Sequence, residues 1–288
     1  MESFSRGWSF LKQAWSMAFK DKDLLKPSIY ALFAGMILSL IGIIPIAIVA
    51  FLFSGSQFGN IVMGVLGAIM VFVQFVVTYV FSGMTAYLIF GYLSEGDGRM
   101  DKAWAIVRRD FFDILTLAAA STAVNLVKNA ANRNRRGVAS GVIRGVANLF
   151  EVLWTEVSYL ILPAMVIDDL NLKEGMQRVL NITKQNLLLI GISTVGVRWV
   201  TGLIGFLLGF GGFVIALAIG GGAVYASGGF NFVSIAAIAL AAFIFFMFIV
   251  VASVISSYTS VAYHTCLYIW ARDVEKAQAA AKKTQTGL

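Results

Sequence analysis

Long apolar runs dominate the pattern of this chain. The four longest are residues 28–53, 59–93, 187–224 and 232–270, and two shorter ones are 113–127 and 147–167. At about 1.5 Å per residue, each of the four long runs can cross a hydrocarbon core of about 30 Å as a helix. Three of them exceed one crossing, so we expect their ends to tilt, break or continue outside the lipid. The pattern predicts an all-α, polytopic integral membrane protein with about six transmembrane helices.

The first 27 residues predict an amphipathic helix. Apolar residues recur at helical spacing, with polar residues mostly on the other side. Tryptophans opposite lysines suit the headgroup layer of a membrane. The expected lipid-headgroup contacts are Trp8, Lys12, Trp15 and Lys20. A helix packed on the cytoplasmic face of the protein itself needs the same pattern, so the sequence leaves both interpretations open.

The connections between the runs predict the orientation. Segments 54–60 and 220–231 carry no charged residue, whereas sixteen of the 22 basic residues lie in four other segments. Those segments are 1–27, 94–113, 168–186 and 271–288. Because cytoplasmic loops are rich in Lys and Arg, we expect both termini in the cytoplasm and the protein in the cell (inner or plasma) membrane. Residues 28–271 would then form the transmembrane domain, and 272–288 a cytoplasmic tail.

The basic residues between the two shorter runs do not fit this predicted orientation. Its basic residues are Lys128, Arg133, Arg135, Arg136 and Arg144. Five positive charges on the outer side would violate the positive-inside rule. Region 113–167 is therefore either a hairpin that crosses twice, which gives six spans and is favoured, or a re-entrant or cytoplasmic pair, which gives four. In a cytoplasmic position, Arg133, Arg135 and Arg136 would contact anionic lipid headgroups.

Composition excludes several classes of protein. The chain has 288 residues, of which 59% are hydrophobic and 13% charged, and its mean hydropathy is +0.84. A soluble enzyme and a disordered chain do not have this composition. One cysteine excludes a disulfide framework. The net charge of +7 reflects the placement of basic residues on one side of a membrane. No aromatic residues alternate with the basic ones, so we do not expect nucleic acid as a partner.

Three stretches together resemble a known family. They are Gly7-Trp8 with Lys12, Trp15 and residues 20–27; residues 154–178, with Pro163 and Asp168-Asp169; and residues 263–268. Together they resemble a family of prokaryotic multi-pass membrane proteins known only as a domain of unknown function. The resemblance covers most of the chain, and its motifs are short. It implies a helical, polytopic plan and no activity.

Glu156 and Arg198 are the strongest candidates for a site within the membrane. Glu156 lies twelve residues before Asp168, and Arg198 lies twelve residues after Asn186, so each is about 18 Å from the expected cytoplasmic boundary. Opposite charges at one depth predict a buried ion pair. The functional interpretation is a coupling or proton-relay pair that lines a cavity. The alternatives are a structural clamp between helices, or an Arg198 that extends to the headgroups.

The remaining candidates favour structural roles. His264 is the only histidine, so it cannot complete a zinc site of three or four ligands, and a structural role is expected. Asp168 and Asp169 predict a turn and a cap for the next helix. We expect no metal and no cofactor. The spacing of Gly202, Gly205 and Gly209 predicts a close helix-packing face.

The sequence thus favours a non-enzymatic scaffold or assembly protein that forms homo-oligomers and contacts membrane lipids. Surplus apolar helix, glycine faces and few polar groups within the apolar runs support this hypothesis. The alternative is a transporter or channel for a small solute, ion or lipid that uses the Glu156–Arg198 pair. An enzyme is the weakest hypothesis, because no acid–base or metal constellation emerges.

Overall fold

The computed structural model describes residues 2–133 and 138–286. Side chains are described there except at 2–6, 133, 138–140, 183, 185–195, 198, 279 and 281–286. In the described ranges all regular structure is helical. The elements are α1 (Glu2–Lys20), a short 3-10 helix (Lys22–Leu25), α2 (Lys26–Leu52), α3 (Gln57–Glu95), α4 (Met100–Arg109), α5 (Phe111–Arg133), α6 (Val138–Asp168), α7 (Leu172–Ala226) and α8 (Phe232–Thr286).

Six segments are long and apolar enough to cross a membrane. They are Lys22–Leu52, Gln57–Glu95, Phe111–Asn132, Gly141–Asp168, Trp199–Ala226 and Phe232–Gln278. The two that lie within α5 and α6 correspond to the two shorter runs of the sequence. The predicted fold class is therefore confirmed: the protein is an all-helical, polytopic membrane protein with six membrane-capable helices.

Local chemistry explains where the long helices begin and end. The Ser56 hydroxyl caps α3 by accepting from the Gly59 amide, and Gly96, at φ 80°, ends the same helix in the left-handed region that suits glycine. Asn171 begins α7, and its side chain forms a reciprocal capping box with Glu174. The expected cap at Asp169 is therefore wrong, because this residue has φ 56° and lies two positions before the cap.

The core lies at the end of the molecule that contains α1, α4 and the second half of α8. The apolar face of α1 is buried there against α7 and α8, with Ala14 and Leu11 among its members. The Tyr258 hydroxyl donates to the Ala14 carbonyl at 2.8 Å. The Trp15 indole donates to the Thr259 hydroxyl at 3.1 Å. Of the two interpretations of α1, the structure thus shows packing on the protein itself.

The other end of the molecule consists of long hairpins with little packing between them. In the most apolar stretches of α2, α3, α7 and α8, only 0–11% of residues are buried, compared with 28% in α5 and 50% in α6. Large apolar side chains such as Ile41, Phe58, Phe206 and Val233 are more than half exposed. Such a surface is stable only in contact with lipid or with another apolar protein surface.

The predicted glycine packing face does not pack within the described part of the chain. A Cβ added at Gly202, Gly205 or Gly209 would meet no heavy atom within 4 Å outside its own helical turn. The α7–α8 contact uses Gly212 instead, where an added Cβ would lie 2.7 Å from the Phe248 Cβ. The difference arises because α8 approaches the face of α7 that carries Gly212, whereas spacing alone identifies small residues without identifying the facing helix.

Candidate functional site

The candidate site pairs the single histidine with a glutamate inside the helices. His264 of α8 lies with its Nε2 atom 3.0 Å from Oε2 of Glu156 on α6, and its Nδ1 atom lies 2.6 Å from the Ser260 carbonyl oxygen. The side chains are 3% and 13% exposed, respectively. Both residues lie within membrane-capable segments. An acid and a base are therefore in contact between two helices that are long and apolar enough to cross a membrane.

The geometry requires a shared proton. A carbonyl oxygen only accepts hydrogen bonds, so Nδ1 of His264 carries the hydrogen that it donates to Ser260. The contact between Nε2 and the Glu156 carboxyl group then needs one further proton. Either an imidazolium donates to a carboxylate, or a protonated carboxyl group donates to a neutral imidazole. The contact therefore requires one proton between the two side chains.

Two aromatic rings hold the imidazole in place. Tyr159, one turn after Glu156 on α6, stacks on His264 with ring centroids 5.2 Å apart and planes 19° apart. Tyr263 meets the same imidazole edge-on, at 5.4 Å and 84°. Stacking on one side and an edge contact on another restrict rotation of the imidazole. The ring is thus kept oriented toward both of its hydrogen-bond partners.

A polar groove adjoins this pair. It has a volume of about 450 Å³ and lies between α6, α7 and α8. Its hydroxyl-bearing lining residues are Tyr159, Thr201, Ser253, Ser256, Ser257 and Ser260. The four serines follow the i, i+3, i+4, i+7 spacing of one helix face, and this spacing is visible in the sequence. Gly205 and Gly209 contribute to the same lining, so part of the predicted packing face borders the groove instead.

The structure agrees only in part with the predicted site residues. Glu156 belongs to the site, with His264 as its partner, a role that the sequence did not indicate. The side chain of Arg198 lies outside the described residues, so the Glu156–Arg198 pair stays a prediction. The arginines at 133, 135 and 136 likewise lie outside the described side chains.

The predicted headgroup contacts on α1 divide into two groups. Trp8 is 42% exposed, and Lys12 and Lys20 are exposed as well, so all three are available to lipid. Trp15 differs, because its indole is directed into the protein, where it donates to Thr259. The amphipathic pattern predicted an apolar face correctly, but the structure uses that face for protein contacts.

A second charged cluster lies at the end of the helical bundle near α4. Asp168 accepts hydrogen bonds from the Tyr268 hydroxyl and from Nη1 of Arg272, the latter at 3.0 Å. Arg109 contacts both Asp110, at 2.6 Å, and Asp169, at 3.0 Å. The hydrogen bond with Asp110 raises the pKa of the Arg109 guanidinium. The two adjacent aspartates therefore bind different cations and join different helices.

The described residues contain no group of three or more His, Cys, Asp and Glu side chains that could hold a metal ion. No family model, curated protein or solved structure matches this chain. Fold and site thus define a class, an all-helical membrane protein with an acid–base pair inside its helices. A functional proposal depends on the chemistry of that pair and of the groove beside it.

Proposed function

We propose that this protein is a membrane transport protein that moves protons. The observation that supports the proposal is the Glu156–His264 pair, which shares one proton beside a hydroxyl-lined groove within membrane-capable helices. Ionisable groups within membrane-spanning helices are costly, and proton relays are one of the functions that retain them. No covalent bond of a substrate changes in this process, so the proposal is a non-enzymatic one.

The residues of the site account for the steps of such transport. The hydroxyl groups of the groove donate and accept hydrogen bonds, so they can hold water next to the pair. A proton from that water enters the pair, and the proton already held leaves Glu156 or His264 toward the opposite side. The two side chains then return to their initial state. The stacked Tyr159 and the Ser260 carbonyl keep the imidazole aligned during the exchange.

Glu156→Gln tests the proposal. We expect proteoliposomes with the wild-type protein to take up protons, under a potassium diffusion potential, faster than protein-free liposomes. The amide of Gln does not exchange a proton at neutral pH, so this variant should lose about tenfold or more of the rate. Glu95→Gln is the matched control, because Glu95 is half exposed and pairs with Lys102 at the surface. A wild-type rate equal to that of empty liposomes contradicts the proposal, as does full activity of Glu156→Gln.

A second candidate function is that of a scaffold or assembly protein working as a homo-oligomer in the cell membrane. It is favoured by the small buried fraction of α2, α3, α7 and α8 and by the open face at Gly202. We expect native mass spectrometry of the protein, released from native lipid, to show more than one copy per particle. A single copy at every lipid concentration would argue against assembly.

We also propose that both termini lie in the cytoplasm. The distribution of Lys and Arg supports this orientation. Helix α1 and the second half of α8 also lie against one another, since Phe10 contacts Trp270 with ring centroids 6.1 Å apart.

A further inference from the structure

The serines that line the groove have hydroxyl groups without partners in the chain. On the same helix, the hydroxyl groups of Thr259 and Thr265 donate to the carbonyl oxygen four residues earlier, which is usual for such side chains in helices. Four groove hydroxyls make no such bond, nor any other to the part of the chain that the structure describes: those of Ser253, Ser256, Ser257 and Ser260. Unpaired polar groups are unfavourable next to hydrocarbon, so this serine face calls for a partner from outside the chain.

The groove changes from polar to apolar along its length. Helices α7 and α8 pack against each other as a hairpin joined by residues 227–231, so they run in opposite directions. Thr201 of α7 therefore lies at the same end of the groove as Ser260 of α8, and Gly209 lies at the same end as Ile249. One end of the groove thus offers hydroxyl groups, and the other offers an aliphatic side chain and a glycine.

The polar end of the groove coincides with the start of a membrane-capable segment. That segment of α7 is Trp199–Ala226, so Thr201 lies in its first turn and Gly209 lies about 12 Å further along the axis. The Trp199 side chain is 76% exposed, and tryptophan is enriched where hydrocarbon meets the headgroups. Phe206, next to a glycine of the groove, is exposed as well. The groove therefore runs from the level of the headgroups into the hydrocarbon.

We propose that this groove binds one membrane phospholipid, with the phosphate at the serine end and an acyl chain along the glycine end. Serine hydroxyls can donate hydrogen bonds, and phosphate oxygens accept them. Gly205 and Gly209 leave room for the chain, because an added Cβ at either position would meet no heavy atom within 4 Å. The volume of about 450 Å³ suits a headgroup with the first part of a chain. A lipid therefore matches both the polar and the apolar end of the groove.

The inference does not depend on the proposed transport function. The groove is open along one side, so a bound phosphate keeps part of its hydration shell. Water therefore remains next to Glu156 and His264 when the lipid is bound. A protein that binds the lipid but takes up no protons would contradict the transport proposal alone.

Native mass spectrometry with added lipid tests the groove. The delipidated protein is titrated in detergent with phosphatidylglycerol, with a diacylglycerol of the same chains that lacks the phosphate, and with inorganic phosphate. Gly205→Leu fills the groove, and the double variant Ser256→Ala/Ser257→Ala removes two hydroxyl donors. Gly202→Leu is the matched control, because an added Cβ there also meets nothing within 4 Å, yet Gly202 is outside the groove lining. Thermal unfolding in the same detergent shows which variants are folded.

We expect the wild-type protein to bind phosphatidylglycerol about tenfold more tightly than the diacylglycerol. Gly205→Leu and the double serine variant should each weaken this binding about tenfold, and Gly202→Leu by no more than about twofold. Equal affinity for the two lipids would overturn the inference, as would equal effects of the two leucine substitutions. Inorganic phosphate that binds as tightly as the lipid would show a simple anion site instead. Dimers that replace the lipid-bound monomer, and that Gly205→Leu abolishes, would show that a second copy fills the groove.

Discussion

Replacing Asp168 with asparagine is expected to lower the free energy of unfolding by about 3 kcal/mol. Asp168 accepts from Tyr268 and Arg272, and Arg272 is only 11% exposed, so loss of the carboxylate leaves a largely buried cation with only its longer contact, at 3.6 Å, to Asp273. Arg272 also lies over the ring of Phe90, 5.2 Å from its centroid, and this contact favours its buried position. Denaturant or thermal unfolding in detergent micelles measures the difference.

The adjacent residue provides the control for that measurement. Asp169 is 67% exposed and makes one surface ion pair, with Arg109. Its φ of 56° is in the left-handed region, which asparagine tolerates well. We therefore expect Asp169→Asn to change the free energy of unfolding by no more than about 0.5 kcal/mol. Equal losses for the two variants would mean that the Asp168 contacts do not stabilise the bundle.

The second large effect is expected at Glu156 and His264. Glu156→Leu and His264→Leu should each lower the free energy of unfolding by about 3 kcal/mol, because each removes one side of a buried polar contact. The double variant should lose less than the sum, with a coupling energy of about 1–3 kcal/mol. Urea unfolding of the four proteins in micelles supplies the cycle.

A control pair of residues that do not touch shows whether the coupling between Glu156 and His264 is specific. Lys102 is a partly exposed residue of α4 that pairs with Glu95, so Lys102→Met combined with Glu156→Leu should be additive within about 0.5 kcal/mol. An additive result for Glu156 and His264 themselves would mean that their 3.0 Å contact contributes nothing to stability. The cycle also provides a double variant that lacks the acid–base pair and whose folding the same experiments measure.

The helices themselves could be predicted from the sequence, because their cause is local. An apolar run of sufficient length has no alternative to a helix in lipid, where each backbone group must find a partner within the segment. The doubtful hairpin at 113–167 shows the limit of charge counting. In the sequence Lys128 is an isolated positive charge, which argues against a span in this region. In the structure Lys128 forms an ion pair with Glu151. That pairing depends on how α5 and α6 pack, so the sequence did not indicate it.

The sequence predicts that α1 has one apolar face, but it does not predict what that face contacts. A helix that lies on lipid and a helix that packs on protein both need one apolar face, so the spacing of Leu11 and Ala14 does not distinguish them. The same holds for the glycines of α7. Small residues permit a close approach, but Gly205 and Gly209 border a groove, whereas Gly212 meets Phe248.

Only one residue of the Glu156–His264 pair could be predicted from the sequence as part of the site. Glu156 is conspicuous in the sequence because a carboxylate interrupts an apolar run. Its partner His264 is 108 positions away, and helical spacing reports neighbours on the same helix alone. The contact depends on where α8 crosses α6, which is a property of tertiary packing. The serine face of α8 was a local pattern that could have indicated a polar groove on that helix.

Proton uptake by the Glu156→Leu/His264→Leu double variant is the most direct test of the account. The variant is reconstituted beside the wild type at equal protein-to-lipid ratios, after unfolding experiments have confirmed that it is folded. The account predicts uptake by wild-type proteoliposomes above that of protein-free liposomes, and uptake by the double variant equal to that background. A double variant that takes up protons as fast as the wild type would contradict the central claim that this pair carries the proton.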